Sequence, residues 1–256
     1  MRIAVIADVH GNLLALDAVL RDLQKRGGAD LLVNLGDCVS GPLWPAETMT
    51  RISSLAAITV RGNHDRIVAF GEPDALGASD RFAYDALSAD QRAWLGTLPQ
   101  TASACPGVLA FHATPTHDET YLIEEIRDSR LMRSGAASIA ARLGDVGGTR
   151  VALCGHSHQS HVVRLASGIV VLNPGSVGCP AYHDPSAPEH VSEAGSPHAR
   201  YALLDFDDTD SLPTATLVVV PYDSETAARR AEASGRADWA EALRTGFMGA
   251  PARSAG

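Results

Sequence analysis

Lysine is nearly absent. Lys25 is the single Lys among the 21 Lys and Arg residues, and the rest are Arg. Acidic residues number 30, so the formal net charge is −9 with His neutral. Broad nucleic-acid binding needs clustered basic residues, and this balance argues against it. A local electropositive site remains open. Cysteine is scarce too: Cys38, Cys105, Cys154 and Cys179 are scattered and form no CxxC pair. That usage fits a reduced, cytoplasmic setting. No apolar run approaches the roughly 18–20 residues that cross a bilayer. The first residues show no charged start, apolar stretch and cleavage site of a secretory signal. No membrane partner is expected.

What is present is ordinary for a soluble globular chain: 256 residues, 45% hydrophobic and 20% charged. Residues 2–8 form a continuous apolar run, typical of a strand buried on both faces. Asn12 can cap a helix over 13–26, which Gly27-Gly28 ends. Further strands are expected at 30–36 and 56–61, separated by a helix that starts at Pro45. Strands at 107–111 and 149–154 follow, with a helix at 135–143. Ser88 to Gln91 reads as a capping box. A hairpin is expected at 159–172, strands at 199–206 and 214–221, and helices at 224–233 and 237–245. The polar stretch 183–198 is expected as an exposed loop that could reach over a substrate as a lid. No repeat or linker is visible, so residues 1–246 are expected to form a single domain, with 247–256 a loose tail.

Each apolar strand ends in a polar cluster. These are Asp8-x-His10, Gly36-Asp37, Gly62-Asn63-His64-Asp65, His112 and Gly155-His156-x-His158. In open α/β sheets the site gathers at the carboxyl ends of the strands. Asp, His and Asn offer oxygen and nitrogen donors without a thiolate, which suits Mn, Fe, Zn, Co or Ni. Seven residues of ligand type exceed what one metal needs. They suit two metals that share a bridging carboxylate.

The ordered set D-x-H, G-D, G-N-H-D, H and G-H-x-H resembles the calcineurin-like metallophosphoesterase superfamily, over residues 8–158. Asn173-Pro174-Gly175-Ser176, taken with the Asp8-to-Asn12 segment, is similar to its small prokaryotic phosphodiesterase branch. The resemblance implies a four-layer α-β-β-α sandwich of two mixed sheets flanked by helices. It implies two divalent ions, Mn²⁺ first, with Fe, Zn, Ni or Co as the others. Asp8, His10, Asp37 and His158 would hold one metal, with Asp37 bridging, and Asn63, His112 and His156 would complete the second. Two dications against two carboxylates leave a local charge near +2. The implied reaction is hydrolysis of a phosphoester, by in-line attack of a hydroxide held between the metals. His64 would assist the leaving group.

One departure bears on substrate. The family's protein phosphatases carry G-D-x-V-D-R-G, and here the stretch is Gly36-Asp37-Cys38-Val39-Ser40-Gly41-Pro42. The Asp that would support the catalytic His is Ser40, and the Arg is missing. That argues against a protein phosphatase and leaves the partner of His64 open. Asp65 reads first as a helix N-terminal carboxylate. Asn12 and Arg66 are the candidate substrate contacts. A small phosphodiester, nucleotide-like ones included, is the expected substrate. A phosphomonoesterase, a dinucleoside-polyphosphate hydrolase and a non-catalytic scaffold are the alternatives.

Overall fold

A computed structural model describes residues 1–208 and 211–249. The chain opens with β1 (Arg2–Ile6), α1 (Leu13–Lys25), β2 (Leu31–Asn34), α2 (Pro45–Ser53) and β3 (Ala57–Thr59). Then come α3 (Asn63–Phe70), α4 (Ala78–Ala86), α5 (Ala89–Thr97), β4 (Thr101–Cys105) and β5 (Val108–Phe111). The middle adds β6 (Glu124–Arg127), β7 (Arg130–Arg133), α6 (Ala136–Leu143), β8 (Val151–Leu153), β9 (Ser160–Arg164) and β10 (Val170–Pro174). Last are β11 (Ala181–Asp184), β12 (His190–Glu193), β13 (Ala199–Asp205), β14 (Thr214–Val220), α7 (Ser224–Ala233) and α8 (Ala237–Thr245).

Two five-stranded mixed sheets form the centre, ordered β14-β13-β1-β2-β3 and β4-β5-β8-β10-β9. Strands β1, β2 and β3 are parallel, as are β5, β8 and β10. Alternation along β1 explains the layering. Ile3, Val5 and Ala7 pack between the two sheets, with Val108, Val151, Leu153 and Leu172 of the second sheet. Ala4 and Ile6 point the other way, onto α1 and α2 through Leu16, Val19, Met49 and Ile52. On the far side, Ile139 and Leu143 of α6 cover Ala152 and Val171. The order helix, sheet, sheet, helix is thus written into one strand's two buried faces, which is why β1 reads as an unbroken apolar run. Burying each such side chain fully contributes about 1.5–3 kcal/mol.

Local signals hold at several ends. Asn12 Oδ1 accepts from the Ala15 amide and caps α1. Ser88 and Gln91 form the capping box of α5. Strands β4, β6 and β7 and helix α4 were not legible, while Asp65 marked the start of α3.

The stretch 183–198 corrects the sequence expectation. It is no loose loop. β11 and β12 pair with each other, and β12 joins β7 in a third sheet ordered β11-β12-β7-β6. His190 and Ser192 are buried, while the tip around Pro185 to Glu189 stays exposed. Inward residues here are polar, so no hydrophobic alternation marks the strands. At the other end, the described part of the tail is docked: the Met248 amide donates to Glu193 Oε1 at 2.9 Å. Residues 250–256 lie outside the described residues.

Leu153→Ala, between the sheets, is expected to cost about 2–5 kcal/mol in urea unfolding. Val219→Ala, on a side chain 52% exposed, should stay within about 0.5 kcal/mol. Equal effects would contradict this placement of the core.

Candidate metal centre

All five polar clusters meet at the carboxyl edge of the sandwich. Backbone hydrogen bonds lace them together. The Asp8 amide donates to the Gly36 carbonyl at 3.0 Å, and the His10 amide to the Asp37 carbonyl at 3.0 Å. The Gly155 amide donates to the His112 carbonyl at 2.7 Å. The 173–176 turn joins in: Ser176 Oγ donates to the Asp8 carbonyl at 2.7 Å. Asp8, His10, Asp37, His156 and His158 all have positive φ, between 49° and 69°. Asp and His visit that region more readily than most residues. Such backbone still costs about 1–3 kcal/mol per residue and clusters at functional sites.

The ligand-type atoms fall into two groups. Asp8, His10 and His158 form one, and Asp37, His112 and His156 the other, with each group's atoms within 4.8 Å of one another. Asp37 Oδ2 reaches towards both, lying 3.8 Å from His10 Nε2 and 3.3 Å from His112 Nε2. Asn63 Oδ1 lies 2.9 Å from His112 Nε2. Gly62 permits this crowding, since a Cβ there would run into the Asp37 carboxylate.

The donor set fits cations. Each His gives one ring N–H to a backbone carbonyl: His10 Nδ1 to Ser40, His112 Nδ1 to Leu35, His158 Nδ1 to Cys179 and His156 Nε2 to Glu119. That fixes the tautomers and turns the other nitrogen inward. Burial pushes His10 down to about 4 and lowers His158 well below the ordinary value, so both rings are neutral at pH 7. Their Nε2 lone pairs then face each other at 3.1 Å, a contact that a positive charge between them resolves. His112 makes the same demand. Burial opposes its charged form, yet Asp37 carries it up to about 10. Burial also pushes Asp8 up to about 8. Buried carboxylates and inward lone pairs together call for compensating cations.

His64 stands beside this set, its ring centroid 5.5 Å from that of His10. Its partner is Asp80 of α4, whose Oδ1 accepts from His64 Nδ1 at 2.7 Å and from Ser40 Oγ at 2.6 Å. Burial opposes a charged His64, but Asp37 and Asp80 raise it to about 9. Asp80 was missed. The available signal was a carboxylate on the buried stripe of a helix, in line with Ala83 and Leu87. Asp65 is a buried helix-capping carboxylate. It accepts from the amides of Gly62, Asp37 and Cys38, and so ties α3 to the Asp37 turn.

The two expected substrate contacts do not reach the site. Asn12 is fully buried, and its amide donates to the Gly178 carbonyl and Tyr222 Oη. Arg66 is held by Asp118 at 2.6 Å and Glu119 at 2.8 Å. Sequence could not show these contacts, because both partners lie far along the chain. A cavity of about 960 Å³ opens over the centre. Its walls include Tyr121, Tyr182 and Trp239, none of which was foreseen. Tyr121 stacks on His156 at 4.7 Å, and Tyr182 stands edge-on to His158 at 4.7 Å. Their hydroxyls meet at 2.8 Å, and Tyr121 donates on to His190.

The model of the calcineurin-like phosphoesterase superfamily domain matches residues 1–208. The chain belongs to that superfamily. It is a superfamily of metal-dependent phosphoesterases, and this chain has two candidate metal-binding groups. A metallophosphoesterase from Sphaerobacter thermophilus is 25% identical, with a TM-score of 0.72, covering 96% of this chain and 99% of that one. A hypothetical protein from Pyrococcus horikoshii shares the fold at 19% identity and a TM-score of 0.76, covering 97% and 99%. An uncharacterised protein of Methanocaldococcus jannaschii is 46% identical over 63 residues, 25% of this chain and 26% of that relative. The matched stretch thus spans about a quarter of that relative's length.

Cations held by buried groups stabilise the folded chain by mass action. Chelator is therefore expected to lower the Tm, and added Mn²⁺ to restore it. A Tm indifferent to both would contradict the reading of these groups as a metal centre.

Proposed function

We propose that this protein is a cytoplasmic, dimetal-dependent phosphodiesterase acting on small diesters, nucleotide-like ones included. One observation carries the reading: two groups of ligand-type atoms stand side by side, Asp37 of one lying 3.8 Å from His10 of the other, with His64 and its carboxylate partner alongside. Asp8, His10, Asp37 and His158 would hold one ion, and Asp37, Asn63, His112 and His156 the other. An all-nitrogen-and-oxygen set suits Mn²⁺ first, then Fe, Zn, Ni or Co. Such a pair of ions supplies an activated water and neutralises charge that develops on the phosphoryl oxygens.

The chain's own residues account for the remaining steps. Asp80 accepts the Nδ1 proton of His64 and so orients the ring. With Nδ1 held by Asp80, a protonated His64 would donate from Nε2 to a leaving oxygen. Asp80 restores, from α4, the support that Ser40 does not give. The cavity favours a diester over a monoester. Its two Arg residues are engaged, Arg236 by Asp238 and Arg142 by backbone carbonyls. No free guanidinium among the described lining residues meets the second charge of a monoester. The complete ligand set and the presence of His64 support an enzyme rather than a scaffold.

Side-by-side assays test this. Metal-replete protein is expected to cleave bis-p-nitrophenyl phosphate faster than p-nitrophenyl phosphate or diadenosine tetraphosphate. His64→Ala should keep its metal content and lose about 10²–10⁴-fold in kcat on an alkyl diester. Metal-loaded protein inactive on every phosphoester would sink the proposal. Asp80→Asn should lose more on alkyl esters than on p-nitrophenyl esters, because an alkoxide needs the proton more. An equal loss on both would remove Asp80 from the orienting role.

A further inference from the structure

The metal centre places the phosphorus but does not say what the ester arms are. α8 bears on that question. It lies beyond the family-matched residues 1–208, yet it puts Trp239 into the cavity wall. The indole centroid stands 6.0 Å from the His10 ring, edge-on at 71°. His64 stands 5.5 Å from the same ring, at 72°. The proton donor and the indole thus both stand against the His10 ring. Gly41 allows the approach, since a Cβ there would lie 2.5 Å from the His10 carbonyl oxygen and 2.9 Å from the indole. Leu43, Ala240 and Leu243 pack behind, so the ring is held rather than floating. Arg236 is anchored to Ser79 Oγ at 2.8 Å and to Asp238, and its guanidinium lies over one face of the indole at 5.9 Å from the centroid, which leaves the other face for a stacking partner.

We propose that Trp239 is the specificity-determining platform for the leaving arm, and that this arm carries a planar ring of the nucleobase type. The inference rests on the phosphodiesterase reading above. Asp80 holds His64 Nδ1, so the leaving oxygen must come to Nε2, and the arm attached to it runs beside the indole. A flexible aliphatic arm gains little from a rigid flat surface. A planar ring stacks on it, as bases do on exposed aromatic side chains. The tyrosines are less free to do this, because Tyr121 already covers His156 and both hydroxyls are taken. A cavity of about 960 Å³ has room for a nucleoside arm.

Calorimetry on the metal-loaded protein tests it with adenosine and methyl β-D-ribofuranoside, the alcohols that leaving arms with and without a base would release. The nucleoside is expected to bind about tenfold tighter or more. Trp239→Ala should bring the two affinities together, and Trp239→Phe should keep most of the difference. Metal content and Tm are read on each variant, so that misfolding is recognised. Equal affinities in the wild type, or a difference unchanged in folded Trp239→Ala, overturn the proposal. Binding of neither ligand, with no diester cleaved, would strike the phosphodiesterase reading and this inference with it.

Discussion

Two carboxylates, Asp8 and Asp37, are taken almost wholly out of water at the edge of the sandwich. Much else at that edge follows from the cost of burying them. A buried carboxylate needs positive charge or many hydrogen-bond donors, or it takes up a proton. Amide donors meet part of the need: His64 gives its N–H to Asp37, and His156 gives its N–H to Asp8. The remainder falls to the inward faces of four His rings whose outward nitrogens are pinned by carbonyls. The strained, left-handed turns at Asp8, His10, Asp37, His156 and His158 aim the side chains at this point. A two-sheet core buried on both sides is stiff enough to hold that strain.

Legibility in the sequence followed range. Elements fixed by local chemistry were readable: Asn12 and Ser88 as caps, β1 as a doubly buried strand, α7 and α8 to the residue. The ligand-type residues were readable because each sits just past an apolar strand and parallel strands bring those ends together. Pairings between distant segments were not. Asp80 reaches His64 only because α4 packs beside α3. Arg66 pairs with Asp118 and Glu119, and Asn12 with Gly178 and Tyr222. The third sheet hid for another reason. Its buried positions His190 and Ser192 are polar, so they carry no apolar period.

The chain divides its labour along its length. The first 208 residues match the family and hold every ligand-type residue and His64. Segments outside the strand-end motifs then shape access. The hairpin of β11 and β12 brings Tyr182 against His158, and α8 brings Trp239 against His10. On the proposed reading, chemistry would sit on the stiff sheets and selectivity on the parts packed around them.

The central claim is that this edge holds two cations around Asp37. Anomalous scattering from crystals grown with Mn²⁺ tests it most directly. Two peaks about 3.5–4 Å apart are predicted, one among Asp8, His10 and His158 and the other among His112, His156 and Asn63, with Asp37 touching both. A single peak, or peaks away from these residues in crystals saturated with the metal, would contradict it.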